Sequence, residues 1–221
     1  LETFRPLALS EVERASHGYW ISLYATPRVD PDQVFRRTVE DLRRRLPAQA
    51  PEIRANVEKG LKVMEQAMEA QERDLYRYRL PGILAGLEKS EGISMLPPAM
   101  SLQKETLINQ FSLRISQLQR LELPGILSPL GISVWGPPEE WGAAQAPGVR
   151  IRGLADFHRD LPRLINASDI NLSLSKCHAL GAVPPRVFEI LACGGFLLTT
   201  DADSLSRHLE DGQDLVVFRS R

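Results

Sequence analysis

Two charged side chains in the last third of the chain have a spacing that would let them bind a ligand together. Arg186 and Glu189 are three residues apart, in a run that begins with Pro184-Pro185. Proline favours the first turn of a helix, so the two side chains are predicted to share one helix face. A small, polar loop from Ser175 to Val183 leads into this helix. Because a helix leaves N–H groups unpaired where it begins, this arrangement suits an anion such as a diphosphate.

Each of the two residues also has an ordinary structural interpretation. A cation in the first turn opposes the helix dipole, and a bound anion would remove that penalty, but a solvent-facing arginine would cost little. The sequence leaves both interpretations of Arg186 open. Glu189 is flanked by Phe188, Ile190 and Leu191. It would either accept hydrogen bonds from ligand hydroxyls or lie on the exposed face of the helix, and spacing alone favours exposure.

Short apolar runs alternate with helical patterns after Gly131. The runs predict strands at residues 132–135, 149–152, 170–174 and 196–200, and the intervening patterns predict helices at 157–165, 185–193 and 204–209. This alternation is typical of an α/β fold with a Rossmann-like parallel sheet and helices on both faces. Ligands of such sheets bind beyond the carboxyl ends of the strands, which is where the Ser175 loop should lie.

The first part of the chain predicts one strand and several long helices. The aromatic run at 18–25 is typical of a buried strand that could open the sheet, and helices are predicted at 30–46, 51–80 and 101–121. Met64 and Met68 are expected in the helical core, with the charges on a solvated face. We therefore divide the chain into a strand-containing segment (1–29), a helical segment (30–125) and a Rossmann-like sheet domain (126–221).

One five-residue pattern occurs twice. Leu-Pro-Gly-Ile-Leu stands at residues 80–84 and again at 123–127, each time followed by Gly-Ile-Ser. Two helix-to-strand units of similar design would explain the repetition, and so would chance.

Composition narrows the class of protein. With 221 residues and a formal net charge of -1, the chain has no broad field that would gather nucleic acid or anionic lipid. Its apolar runs are shorter than the roughly 20 residues of a membrane span. Cys177 and Cys193 suggest free thiols, so we expect a cytoplasmic protein. The first residue is Leu1, and we expect the natural start to lie further upstream.

Three other kinds of site have little support. Cys177-His178 with Cys193 lacks the ligand spacing of zinc sites, and a thiol nucleophile there is also disfavoured. The chain has no Gly-x-Ser-x-Gly elbow of a serine hydrolase and no Gly-x-Gly-x-x-Gly of a dinucleotide site. We predict no metal site and no cofactor.

Several segments of the last third resemble one known family. They include Asn166 to Ser173, Arg186-Val187-Phe188-Glu189, and Ala192-Cys193-Gly194-Gly195 through Thr199. These segments resemble the C-terminal domain of the CgeB-like, spore-maturation-type glycosyltransferases. Val134-Trp135-Gly136 and Ile151-Arg152-Gly153 look like the strands of that family with their glycine ends. The resemblance covers about residues 126 to 221.

The resemblance implies a GT-B fold and metal-independent transfer of sugar from a nucleoside-diphosphate sugar to an acceptor of unknown kind. In related enzymes the glutamate at the position of Glu189 accepts the ribose hydroxyls, and Arg186 would neutralise the diphosphate. The loop residues Ser173, Ser175 and Gly181 would wrap the diphosphate and sugar. Gly136 and Gly153 would border the donor site, and Arg28 would supply half of a basic clamp. No catalytic residue is identified.

The chain departs from the family pattern in two ways. Many retaining members have a glutamate where this chain has Gly181, so the identity of the sugar does not carry over. We also expect the acceptor domain and the closing helices to lie outside this chain, which would leave apolar surface for a homo-oligomer. The alternative function is a non-catalytic sugar-nucleotide-fold protein whose long helices serve in assembly.

Overall fold

A computed structural model of the chain describes most residues after the first twenty. The described residues are 21–24, 31–45, 51–92, 94, 101–144, 146–175, 177, 182–200 and 204–219. They divide into two compact units. The helical unit comprises Val29–Leu118, and the sheet unit comprises Leu1–Arg28 together with Gln119–Arg219.

The described residues contain six α-helices and six strands. The helices are α1 (Pro31–Arg45), α2 (Pro51–Glu72), α3 (Leu80–Glu91), α4 (Ser101–Leu127), α5 (Leu161–Ala167) and α6 (Pro185–Ala192). The strands are β1 (Ile21–Tyr24), β2 (Ile132–Trp135), β3 (Val149–Gly153), β4 (Ile170–Ser173), β5 (Leu197–Thr200) and β6 (Val216–Phe218).

All six strands form one parallel sheet in the order β3-β2-β1-β4-β5-β6. β1 lies at the centre, with its Ile21 opposite Ile132 of β2 on one side and Ile170 of β4 on the other. Because the strand order reverses at β1, with β2 and β3 on one side and β4 to β6 on the other, the sheet has the order of a doubly wound α/β fold, a class whose helices lie on both faces. The Rossmann-like fold class that the sequence predicts is confirmed.

The strands β2 to β5 lie where the sequence predicts them, whereas two neighbouring elements differ. β6 was not predicted, because a strand of three residues is too short to show an alternating pattern. The predicted helix at 157–165 begins only at Leu161. The preceding residues form a turn in which an Asp156 carboxylate oxygen accepts hydrogen bonds from the backbone N–H groups of His158 (3.0 Å) and Arg159 (2.7 Å).

In the helical unit, the predicted long helix at 51–80 is wrong in its second part. α2 ends at Glu72, and the chain turns before α3 begins at Leu80. The fully buried Gln71 holds this turn, donating from Nε2 to the carbonyls of Asp74 (2.7 Å) and Arg77 (3.0 Å) and accepting from the N–H of Arg79 (2.6 Å). One side chain thereby satisfies three backbone groups, which compensates for the interrupted helix.

The helical core otherwise follows the predicted pattern. Met64 and Met68 are buried, as predicted, together with Leu107, Phe111 and Ile115 of α4. The two copies of Leu-Pro-Gly-Ile-Leu have different roles, since the first begins α3 and the second ends α4. The first copy therefore has proline in the first turn of a helix, whereas the second copy has it near the end of one. Within the described ranges, every helix is too short or too polar to cross a membrane.

Cys193-Gly194-Gly195 forms the sharp connection between α6 and β5. Gly194 has φ +71, a left-handed conformation that ends a helix and that side chains disfavour. Gly195 is needed for space, because a Cβ atom there would lie 2.6 Å from a methyl carbon of Ile165 and 2.9 Å from the Asn171 amide nitrogen. The two glycines thus let α5, β4 and α6 meet at one point.

We predict that Gly195→Ala destabilises the sheet unit by about 1–3 kcal/mol, because the added methyl group overpacks the contact with Ile165 and Asn171. The matched control is Gly125→Ala in the last turns of α4, where a Cβ atom would meet nothing within 4 Å. That control should be neutral or slightly stabilising. Denaturant unfolding measures both changes, and equal stability of the two variants would contradict the prediction.

A second prediction concerns Cys193, which belongs to the core formed by α5, α6 and β5. Burial, followed by the negative charge of Glu189, raises the pKa of the Cys193 thiol from 9.0 to about 11. In this window the unfolded state loses the thiol proton while the native state keeps it, so stability falls as pH rises. The difference in unfolding free energy between wild type and Cys193→Ala should therefore shrink from pH 9 to pH 11. A constant difference across that range would refute the assigned burial of the thiol.

Candidate functional site

The candidate site lies at the carboxyl edge of the sheet, where the strand order reverses between β1 and β4. From β1 the chain proceeds to β2 and β3 on one side, and after β3 it returns to β4 on the other side. Such a reversal leaves a crevice between the loops that follow the two central strands. Ser173 and Tyr24 end those strands. Arg28 and Gly181, both predicted at the site, lie outside the described residues.

Hydroxyl side chains cluster where β4 and β5 end. Ser173 is buried and lies opposite Thr199 in the sheet. The backbone N–H of Ser175 donates to the Thr200 hydroxyl oxygen at 2.9 Å, which ties the beginning of the loop to the end of β5. The Ser175 hydroxyl oxygen is shielded from solvent and has no hydrogen-bond partner. A polar atom in this state can accept or donate a hydrogen bond when a ligand arrives.

Further contacts hold the described parts of the Ser175 to Val183 loop. The Cys177 thiol lies 3.8 Å from the side-chain oxygen of Gln119 on α4, and both residues are buried. Near the end of the loop, the Ser204 hydroxyl donates to the Ala182 carbonyl at 3.2 Å. Each of the described loop residues Ser175, Cys177 and Ala182 therefore has a polar contact with a residue distant in sequence.

Arg186 and Glu189 meet on α6, as their spacing predicts. A guanidinium nitrogen of Arg186, Nη1, lies 2.5 Å from the Glu189 carboxylate oxygen Oε2. Both atoms are shielded from solvent, and their contact lacks the alignment of a hydrogen bond. The Glu189 side chain is only 15% exposed, although its spacing favoured an exposed position. Neither charge therefore lies simply on a solvated surface, and the pair is partly desolvated beside the loop.

Gly136 and Gly153 come together at the carboxyl ends of β2 and β3. The N–H of Gly136 donates to the carbonyl of Gly153 at 2.9 Å, and Gly153 has φ +87. Glycine is favoured at Gly153 because this φ is unfavourable for other residues. The contact gives both glycines a structural role at the strand ends. Gly136 follows β2, the neighbour of β1, and Gly153 ends β3, the next strand out.

Sequence reasoning missed four side chains that shape this edge. Thr200, Gln119 and Ser204 hold the loop, and Arg120 is buried close to Cys177. Burial lowers the pKa of the Arg120 guanidinium, and the interaction with Cys177 opposes this effect. These contacts join residues far apart in sequence, so no local sequence motif predicts them. A pair of threonines ending a strand is the only signal that the sequence offered.

Two more polar atoms without partners follow β2. They are the carboxylate oxygen Oε2 of Glu140 and the indole nitrogen of Trp141, a side chain with no exposed surface. Both residues belong to the 3₁₀ segment Pro138–Ala144. Within the part of the chain that the structure describes, no group of three or more His, Cys, Asp or Glu residues is placed to hold a metal ion.

Comparison with known proteins gives a match to a family model. No curated protein and no solved structure matches the chain significantly. Residues 114–221 match the model of a family described as glycosyl transferase-like. The matched range contains β2 to β6 and α6, while β1 joins the same sheet from upstream. The match supports a glycosyltransferase-like domain in residues 114–221, and with it a general function in glycosyl transfer.

Proposed function

We propose that the sheet unit binds the nucleoside-diphosphate sugar of a GT-B type glycosyltransferase related to the CgeB-like enzymes. The observation that carries this proposal is the position of the Arg186–Glu189 pair. It lies on the helix that follows β4, the strand at which the sheet order reverses. This is where parallel α/β sheets bind nucleotides.

Each part of the site has a distinct task in the proposed reaction. Glu189 accepts hydrogen bonds from the ribose hydroxyls, and the Ser175 loop encloses the diphosphate and the sugar. Departure of the sugar places negative charge on the leaving nucleoside diphosphate. The beginning of α6 supplies positive potential for that charge, so the transfer does not require a metal ion.

Two hydrogen bonds at described residues of the loop support this proposal. Thr200 holds the N–H of Ser175 at 2.9 Å, and Ser204 donates to the carbonyl of Ala182 at 3.2 Å. A residue held in place before binding loses less conformational entropy when the ligand binds. The unpartnered Ser175 hydroxyl is then available to a phosphate oxygen or a sugar hydroxyl.

The central prediction is that the chain binds one of the nucleotides UDP, GDP, ADP and dTDP and that Glu189→Gln weakens this binding about tenfold. Glutamine keeps the size of the side chain but removes the charge that strengthens hydrogen bonds to the ribose. Calorimetric titration measures the dissociation constants. The matched control is Glu210→Gln, which removes an exposed carboxylate of the same unit and should leave binding unchanged.

An activity assay, combined with this titration, separates the two candidate functions. Sugar transfer or donor hydrolysis by the full-length protein, lost in Glu189→Ala, supports the enzyme. Nucleotide binding without either activity for any donor supports the non-catalytic alternative. Failure of all four nucleotides to bind would refute the proposed donor site in this chain.

A further prediction tests the tie between β5 and the loop. Thr200→Val leaves the Ser175 N–H without its acceptor, so we expect a loss of about 1–3 kcal/mol in stability and several-fold weaker nucleotide binding. Thr200→Ser keeps the hydroxyl and should retain most of the affinity. Thermal unfolding and calorimetric titration check the two effects, and equal affinities of the valine and serine variants would count against a role for this tie in binding.

A further inference from the structure

The contact between Arg186 and Glu189 gives the two oxygens of the Glu189 carboxylate different surroundings. Oε2 lies 2.5 Å from the arginine nitrogen Nη1 and is shielded from solvent. Oε1 is not shielded in this way and makes no hydrogen bond to any described residue. One oxygen of Glu189 is therefore engaged by the protein, while the other is left to accept hydrogen bonds from outside.

The pairing with Arg186 also compensates the negative charge of a carboxylate that is mostly withdrawn from solvent. The Glu189 side chain is 15% exposed, and a carboxylate that has lost most of its water needs a compensating charge. Arg186 supplies that charge from the preceding turn of the same helix, so the pair forms without any contribution from a ligand. Removing the arginine would take away this contact and favour other rotamers of the carboxylate.

We propose that Arg186 is a positioning residue: its contact with Oε2 fixes the orientation of Glu189, so that Oε1 faces the ribose hydroxyls of the bound nucleotide. This inference rests on the proposed function, and it assigns the arginine a task other than direct contact with the diphosphate. The pair then determines the preference for ribose over a sugar without hydroxyls. The phosphate groups depend on the loop and on the beginning of α6.

The test compares nucleotides that differ only in their hydroxyl groups. The probes are whichever of UDP, GDP, ADP and dTDP binds most tightly and its analogue without ribose hydroxyls. Both are titrated into wild type, Arg186→Met, Glu189→Gln and the double variant. Methionine removes the charge while keeping a long, unbranched side chain. The matched control is Arg163→Met, an exposed arginine on α5 of the same unit.

If Arg186 acts through Glu189, Arg186→Met weakens binding of the natural nucleotide about tenfold and leaves binding of the hydroxyl-free analogue unchanged. The double variant should then bind no more weakly than Glu189→Gln alone, because both substitutions remove the same interaction. Arg163→Met should bind both probes like wild type.

Other results overturn the inference and distinguish its failure from that of the proposed function. Equal losses for the natural nucleotide and the analogue would mean that Arg186 contacts the phosphates directly or only supports the fold. Additive losses in the double variant would likewise reject a task performed through Glu189. If wild type binds none of the four nucleotides, the proposed donor site fails, and the positioning role fails with it.

Discussion

The parallel direction of all six strands is the constraint on which the candidate site depends. Parallel strands have their carboxyl ends at one edge, so β1, β4 and β5 all end at the same edge of the sheet. With β1 at the centre, the edge is split by the reversal of strand order next to β4. The helix that carries Arg186 and Glu189 follows that strand, and its position results from the sheet order as much as from its own sequence.

The sheet order sets the approximate positions of the segments next to the strands, and buried polar contacts fix these positions more narrowly. Just after the end of β4, the Ser175 N–H donates a hydrogen bond to the Thr200 hydroxyl oxygen instead of to a backbone carbonyl of the sheet. Near the amino end of β4, the buried Asn171 amide nitrogen donates to the carbonyls of Ile165 at 3.2 Å and Phe196 at 3.4 Å. Such contacts add modest energy when made and cost more when broken, so they favour one arrangement of the segments at the two ends of β4.

The sequence predicted those parts of the fold that have local signals. Strands β2 to β5 are short apolar runs bounded by turn residues, and α6 begins at a pair of prolines. The meeting of Arg186 with Glu189 followed from a spacing of three residues on one helix. Burial of Glu189 did not follow, because it depends on the surroundings that the sheet and the loop create.

The contacts that the sequence could not predict join distant residues. The turn held by Gln71 interrupts a region whose composition favours helix throughout, so local propensity gave the wrong answer there. Thr200 meets Ser175 across the sheet, and Gln119 meets Cys177 through the packing of α4. Neither pair has a spacing that repeats in any regular element. The central place of β1 likewise depends on pairing across the whole helical unit.

The central position of β1 affects the order in which the strands of the sheet can pair during folding. Strand β1 pairs with β2 through Ile21 and Ile132, and the entire helical unit is inserted between them. Closing so long a loop costs conformational entropy before any strand contact compensates for it. The contacts among β4, α6 and β5 close much shorter loops, so they carry a smaller cost and can form earlier. The candidate site, which needs β1 beside β4, is therefore completed by the strand pairing of highest sequence separation in the sheet.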